Sequence, residues 1–430
     1  MAAALWFALT RDTRYSREYM GDLRNRIVGA RLIDDGHSPY FYKYAPGDPV
    51  RYYDPQAFDI YYVSICTSTP FLHRLLVPLA RLPFATIMRL WVGVLWGLYL
   101  AMVLYAMMVA RDVQSRLIVA MVALLFLFSN SWELHTKYGQ TYLLVPALAM
   151  LVFALRRRPL LAGLVAAVLV MIRPNAVLFL VPFLWMRDVK WASLAPAVVA
   201  LAWVLLVPRE RRLWSDYQVM LSQQVKIHQD LGPKRRPVWI DPGIGDWEGI
   251  NMDTVRARIG REPVHIYSEN GNVFVLYQKI VGRRMPLWLL AGLGLLAVAA
   301  VPAMLMRVQR RRRERDRVRS PVSSGEFDPV RLAIIGFCLY MISDLFSPIY
   351  RHAYYGVQWI MPLLLAAAVY GEREHDRRRP VYAWLLLCLL LNIVHLPFIR
   401  MGNTIGEYGF LIGLLAIGFA HRVENQNREI

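Results

Sequence analysis

The sequence predicts an all-α, polytopic transmembrane helical bundle with two long polar loops on one face, and three observations carry that prediction. Hydrophobic residues make up 57% of the 430 positions, and the mean hydropathy is +0.33. The net charge is nevertheless +19, and the arginines sit between apolar runs, as the positive-inside rule expects of cytoplasmic turns. Assigning every arginine-rich turn to the cytoplasm then leaves all the remaining polar sequence on the opposite side of the membrane. The chain reads as a single integral membrane domain, residues 1–430, making about eleven or twelve crossings.

The same features exclude other classes. The basic residues form no compact basic domain, so no nucleic acid is expected as a partner; the lipid bilayer is. Cys66, Cys338 and Cys388 are scattered without a CxxC or metal-ligand spacing, so neither a disulfide framework nor a zinc site is supported. No cleavable signal peptide is evident. The apolar start from Met1 to Leu9 is too short to span about 30 Å of hydrocarbon. It reads either as the tail of a first transmembrane helix whose beginning is missing, which we favour, or as a short helix capped by its neighbours.

Residues 10–83 form the first extracytoplasmic loop, opening as GDLRNRIVGARLIDDGHSPY and passing through RYYDPQAFDIYY. It ends in an interfacial helix, Phe71 to Leu82, with apolar residues at helical spacing. Phe84 to Ala110 spans the membrane, Arg111, Asp112 and Arg116 turn in the cytoplasm, and Leu117 to Phe128 returns. SNSWELHTKYGQ is the next outer loop, and Thr141 to Leu155 goes back in to Arg156, Arg157 and Arg158. Leu160 to Trp185 is broken by Arg173-Pro174-Asn175. A charge and a proline at mid-span are costly unless they face a polar cavity or the interface, which predicts two short helices meeting at the outer face.

Trp191 to Val207 crosses outward, and residues 208–285 form the second extracytoplasmic loop. That loop is amphipathic at Trp214 to His228, then Gly/Pro-rich at DPGIGDWEGIN, then turn-like at Glu269 to Asn272. Pro286 to Met306 crosses inward to a basic cytoplasmic loop, residues 307–331, containing RVQRRRRERDRVRS. Leu332 to Phe346, Tyr355 to Tyr370, Tyr382 to Pro397 and Gly406 to Ala420 complete the spans.

The outer face therefore collects the chemistry-bearing residues. No Walker loop, HExxH, GxSxG or dinucleotide fingerprint is present. Asp34-Asp35 beside Gly36 reads as a turn before a metal site; no cofactor is required, and a divalent metal stays open. A site facing outward has no access to cytoplasmic ATP or nucleotide sugars, which points to a lipid-linked substrate with its phosphate at the headgroup level.

The motifs GDLRN with GARLIDDGHSPY, then YDP, PLARLP, KYGQTYLLV, AGLVAAVLVMIRPN and SPIYRHAYYGVQWIMPLL together resemble glycosyltransferase family 87. The resemblance spans Asp22 to Pro362, with a single proline after Tyr53-Asp54 where the family pattern has two. It implies a GT-C-like fold and a polyprenyl-phosphate sugar donor, with mannose the family default. The acceptor would be a glycan or glycolipid, with the active site on the extracytoplasmic face of the plasma or inner membrane. A polyprenyl phosphate is already a good leaving group, so the chemistry needs one carboxylate to deprotonate the attacking hydroxyl, and positive groups to hold the phosphate.

By resemblance the catalytic base is Asp22; the bland alternative is that Asp22 caps a helix beginning near Leu23. Candidates for the donor phosphate are Arg351 and His352, Arg173 at the helix break, and Lys137. Against these stand interfacial anchoring of the Arg351-His352 pair and a simple kink at Arg173. Gln140, Tyr40 and Asp54 are candidates for the sugar or acceptor, while the tyrosines from Tyr40 to Tyr62 could instead pack the loop onto the membrane surface. Two other readings remain open: a flippase for a lipid-linked glycan, and an O-antigen ligase or polymerase. One helix break and no evident repeat favour the transferase over the flippase.

Overall fold

The computed structural model describes residues 2–18, 20–55, 63–64, 66–185, 207–228, 241–259, 271–319, 328–371, 375–394 and 401–419. The expected crossing from Trp191 to Val207, apart from Val207 itself, and the turn at Glu269 and Asn270 lie outside the described residues.

The first half of the chain gives α1 (Ala2–Tyr15), α2 (Gly21–Asp34), α3 (Pro70–Ala80), α4 (Phe84–Val109), α5 (Val113–Phe126), α6 (Asn130–Tyr138), α7 (Leu144–Ala154) and α8 (Pro159–Ile172). A 3₁₀ segment, Pro174–Trp185, follows the Arg173-Pro174 break, so the two expected short helices are present, the second in the tighter form. Then come α9 (Pro208–His228), the two-residue strands β1 (Asp246–Trp247) and β2 (Ile250–Asn251), α10 (Met252–Ile259), α11 (Val273–Val281) and α12 (Leu287–Arg319). The chain closes with α13 (Pro329–Leu345), a 3₁₀ turn at Ala353–Trp359, α14 (Ile360–Ala368), α15 (His375–Ile393) and α16 (Gly402–Phe419). The protein is an all-α, polytopic membrane bundle.

Local chemistry sets many of these boundaries. Thr69 caps α3 by accepting from Leu72 N–H at 3.3 Å, with Pro70 in the first helical position. Asp112 caps α5 through Ser115 N–H at 2.7 Å, and Asp328 caps α13 through Val330 N–H at 2.8 Å. α13 and α14 are buried almost all round, as helices apolar on every face must be. α14 packs on α4 and α5, while α13 packs on the 3₁₀ segment and on α16.

Four expectations change. By length and composition, two described helices can cross a membrane, Phe84–Val109 and Leu287–Arg311, and a third span is possible if α5 and α6, bent by 56°, act together. Other apolar runs are divided into helices of 10–17 residues, and 14 residues reach only about 21 Å at 1.5 Å per residue. SNSWELHTKYGQ is not a loop: Ser129 caps α6 through Trp132 N–H at 3.2 Å, and Gly139 ends it at φ 65°. α1 runs to Tyr15, beyond the expected loop start at residue 10. Finally, the helical backbone of α12 continues through the basic run to Arg319, where a solvated linker was expected; arginine, glutamine and glutamate are good helix formers.

Candidate active site

The site grows from α2, a polar helix buried almost everywhere along its length. Arg24, Asn25, Arg26 and Arg31 are all buried, and each buried guanidinium has its partners. Arg24 donates to the carbonyls of Tyr53 (2.8 Å) and Arg51 (3.1 Å) and to Glu248 (2.8 Å). Arg31 donates to the carbonyls of Ala80 (2.8 Å) and Leu82 (3.0 Å), at the C-terminal end of α3, and grips Glu248 with two nitrogens at 2.6 and 2.8 Å. A buried charge survives only when paired and hydrogen-bonded in this way.

Asp22 lies in the first turn of α2, half-buried. It is not the cap: the N-cap position belongs to Met20, which makes no side-chain cap bond. The Asp22 carboxylate instead accepts from the side-chain amide of Gln140, whose oxygen accepts from Arg26 at 2.6 Å. Gln140 is itself fixed by the end of α6. Its N–H donates to His135 O at 2.9 Å and the Gly139 N–H to Thr136 O at 3.1 Å, the paired bonds of a Schellman motif. Trp91 on α4 donates to the Gln140 carbonyl at 3.3 Å. Gln140 is fully buried, so it holds and orients the carboxylate where a sugar contact was expected.

Beside Asp22 stands a wall of tyrosines. The charge of Asp22 acts on Tyr354, whose ring stacks on His352 (5.1 Å), Tyr355 (5.3 Å) and Tyr142 (6.0 Å) and meets Tyr138 at 6.0 Å. Arg173 lies over Tyr142 (5.5 Å) and Tyr355 (5.8 Å), and Arg351 over Tyr355 at 5.6 Å. Lys137 approaches the Tyr138 ring at 5.8 Å. The aromatic wall therefore joins the half-buried carboxylate to the arginines.

Those arginines belong to a buried ionic quartet. Asp344 on α13 binds Arg173 and, at 2.8 Å, Arg351; Arg351 also binds Glu407 on α16. Arg351 and Asp344 keep 2% and 1% of their side chains exposed, whereas Arg173 keeps 27%. With both of its acids in place, Arg351 is spent on the bundle, and Arg173 is the cation of the pair that reaches open space. His352, the residue after Arg351, is exposed.

Two sequence candidates fall away from the site. Tyr40 is fully buried, donates to Ser68 O at 2.9 Å and packs on Tyr217 at 5.6 Å, so its ring has no face for a sugar. Asp54 is buried and accepts from Asn25 at 3.2 Å. Asp34 and Asp35 turn to different partners, Asp34 to Arg81 at 3.4 Å and Asp35 to Arg51 and Tyr52. Among the described residues no three His, Cys, Asp or Glu converge as metal ligands would.

Sequence reasoning missed Arg26, Tyr142, Tyr354, Asp344, Glu407 and Glu248. Asp344 and Glu407 had a signal, since an acid inside an apolar run marks a functional position by default. Glu248 had none, because its partners are 217 and 224 residues away.

The geometry sets a half-buried carboxylate at one end of an aromatic wall and a partly open guanidinium at the other. No curated protein and no solved structure matches the chain. The sequence model of glycosyltransferase family 87 does match, over residues 67–324. That stretch contains Lys137, Gln140, Arg173 and Glu248 and stops short of Asp22 and Arg351. The match covers more than half of the 430 residues, and the chain belongs to glycosyltransferase family 87.

Proposed function

We propose that the protein transfers a sugar, with mannose as the family default, from a polyprenyl-phosphate donor to a glycan or glycolipid acceptor. The reaction takes place at the extracytoplasmic face of the plasma or inner membrane and inverts the anomeric centre. One observation carries this reading: a half-buried carboxylate, Asp22, oriented by Gln140 and Arg26, faces a tyrosine wall that ends at the partly open Arg173. Tyrosine faces suit a sugar ring, and an arginine beyond them suits a phosphate.

In the step itself the acceptor hydroxyl oxygen attacks the anomeric carbon while Asp22 takes its proton. The bond from that carbon to the phosphate oxygen breaks, and its electron pair leaves with the polyprenyl phosphate. Arg173, with Lys137 as a second candidate cation, stabilises the charge gathering on that oxygen. The Asp344 carboxylate binds one terminal nitrogen of the Arg173 guanidinium and keeps the group in place.

The test is transfer from a panel of polyprenyl-phosphate monosaccharides by purified protein in lipid, beside Asp22→Asn. We expect transfer by the wild type and a loss of about 10²–10⁴-fold in the variant, the usual contribution of a general base, with donor binding kept. Activity surviving in Asp22→Asn moves the base elsewhere. Movement of a lipid-linked glycan between leaflets without any transfer overturns the transferase reading.

A further inference from the structure

We propose that Glu248, at the tip of the second polar loop, is a positioning residue for Asp22. The inference rests on Asp22 being the base. Glu248 is the junction of three segments that are far apart in sequence. Its carboxylate, 18% exposed, binds Arg24 and Arg31 of α2. It also accepts the Phe84 N–H at 3.0 Å, at the start of α4, where the cap position is Pro83 and offers no side-chain bond. A carboxylate at a helix N-terminus takes up a donor that the helix cannot satisfy itself. The Glu248 carbonyl accepts from Ala85 N–H at 3.3 Å.

The backbone confirms that this placement is imposed. β1 and β2 pair through a two-residue turn in which Glu248 has φ 52° and Gly249 φ 84°, the positive pair of a type I′ turn. Asparagine or glycine normally fills the first position, because the left-handed backbone crowds the Cβ of any larger residue. Glu248 is the only non-glycine residue at positive φ among the described residues. Trp247, fully buried, wedges the turn in place with its ring 4.3 Å from the Arg24 guanidinium, 5.4 Å from Tyr53 and 5.9 Å from Phe84.

Two routes lead from this junction to Asp22. The first runs along α2, where Arg24 is two positions from Asp22. The second runs along α4, whose Trp91 holds the carbonyl of Gln140, and Gln140 holds the Asp22 carboxylate. Both the helix that carries the base and the helix that steadies its partner are therefore referenced to one side chain.

The experiment is a four-cornered cycle: wild type, Glu248→Gln, Asp22→Asn and the double variant, purified in lipid with a polyprenyl-phosphate sugar donor. Residual turnover is followed over hours. Glu248→Gln should lower kcat by about 10–100-fold, the scale of a misplaced catalytic group, while donor KM stays within about twofold. In the Asp22→Asn background the same change should cost nothing further, because there is no base left to position. Glu248→Asp, which keeps the charge, should recover part of kcat and stands in if Glu248→Gln does not fold. An equal loss in both backgrounds means that Glu248 merely holds the fold. Unchanged kcat in Glu248→Gln overturns the proposal directly. Full activity in Asp22→Asn removes the base reading, and the positioning role falls with it.

Discussion

Gly139 offers a sharp test of how the Asp22 carboxylate is held. It terminates α6 at φ 65°, and a Cβ added there would lie 2.6 Å from Leu23 Cβ and 2.9 Å from Met20 Cβ, at the first turn of α2. Gly139→Ala therefore carries two costs. The left-handed backbone costs an alanine about 1–2 kcal/mol, and overpacking against side-chain stems costs about 1–3 kcal/mol more. Gly282 separates the two, because it ends α11 at φ 72° with nothing within 4 Å of its added Cβ. Gly282→Ala should show the backbone cost alone. Both variants would be compared with wild type in lipid by thermal inactivation half-life, since large membrane proteins seldom unfold reversibly, and by sugar transfer at a temperature where all three stay folded. Gly139→Ala should be the less stable variant by the overpacking margin, and it alone should lose kcat, because its strain is relieved by moving Gln140 or the Asp22 turn. Equal destabilisation, or kcat unchanged in Gly139→Ala, would refute the close approach as the device that fixes the carboxylate.

Further outcomes follow from the buried charges. Arg351→Gln should destabilise by about 3–5 kcal/mol, as breaking one side of a buried ion pair does, because Glu407 loses its arginine; folded yield and inactivation half-life report it. A phosphate-binding Arg351 would instead raise donor KM and leave folding intact. Acid should also find Glu248. Burial pushes its carboxyl up, but the hydrogen bonds and charges of Arg31 and Arg24 outweigh that and hold it below its ordinary value of 4.5. The stability from this group is thus fully present above about pH 4.5 and is lost as pH falls through the lower folded value. Unfolding midpoints measured against pH should drop more steeply on that acid limb in wild type than in Glu248→Gln.

Wherever apolar periodicity was continuous, the fold was legible: α3, α4 and the 3₁₀ segment after Arg173 sit where the pattern places them. α2 and α6 were harder because their burial is polar. GDLRNRIVGARLID carries three arginines and two aspartates, which reads as solvent-facing sequence until Tyr53, Ala80 and Glu248 supply partners from elsewhere. α6 did advertise its ends, Ser129 and Gly139, and a cap-by-cap reading would have found it. Asp22, Gln140, Arg173 and Lys137 emerge around the wall, whereas Tyr40 and Asp54 are structural, because exposure cannot be read from residue type alone. Asp344, one acid in an apolar run, binds both arginines, and the second acid, Glu407, is held by Arg351 alone, which leaves Arg173 the more open of the two.

The second polar loop ties these parts into one arrangement. At one end its turn clasps α2 and α4 beside Asp22 through Glu248. At the other, Asn272 donates to the carbonyls of Ser347 (2.8 Å) and Ile349, Tyr408 donates to Gly271 O at 2.9 Å, and Gly271 passes so close to Glu407 that an added Cβ would lie 2.9 Å from its carboxylate. Those contacts hold the segment that leads into Arg351. The loop thus touches the helix bearing the proposed base and the chain bearing the ionic quartet. The proposed inverting displacement needs its base and leaving phosphate on opposite faces of one carbon, so on that reading the separation of Asp22 from Arg173 matters more than either position. Helix packing sets that separation within the bundle, and the loop's contacts at Glu248 and at Asn272 brace the two sides of it.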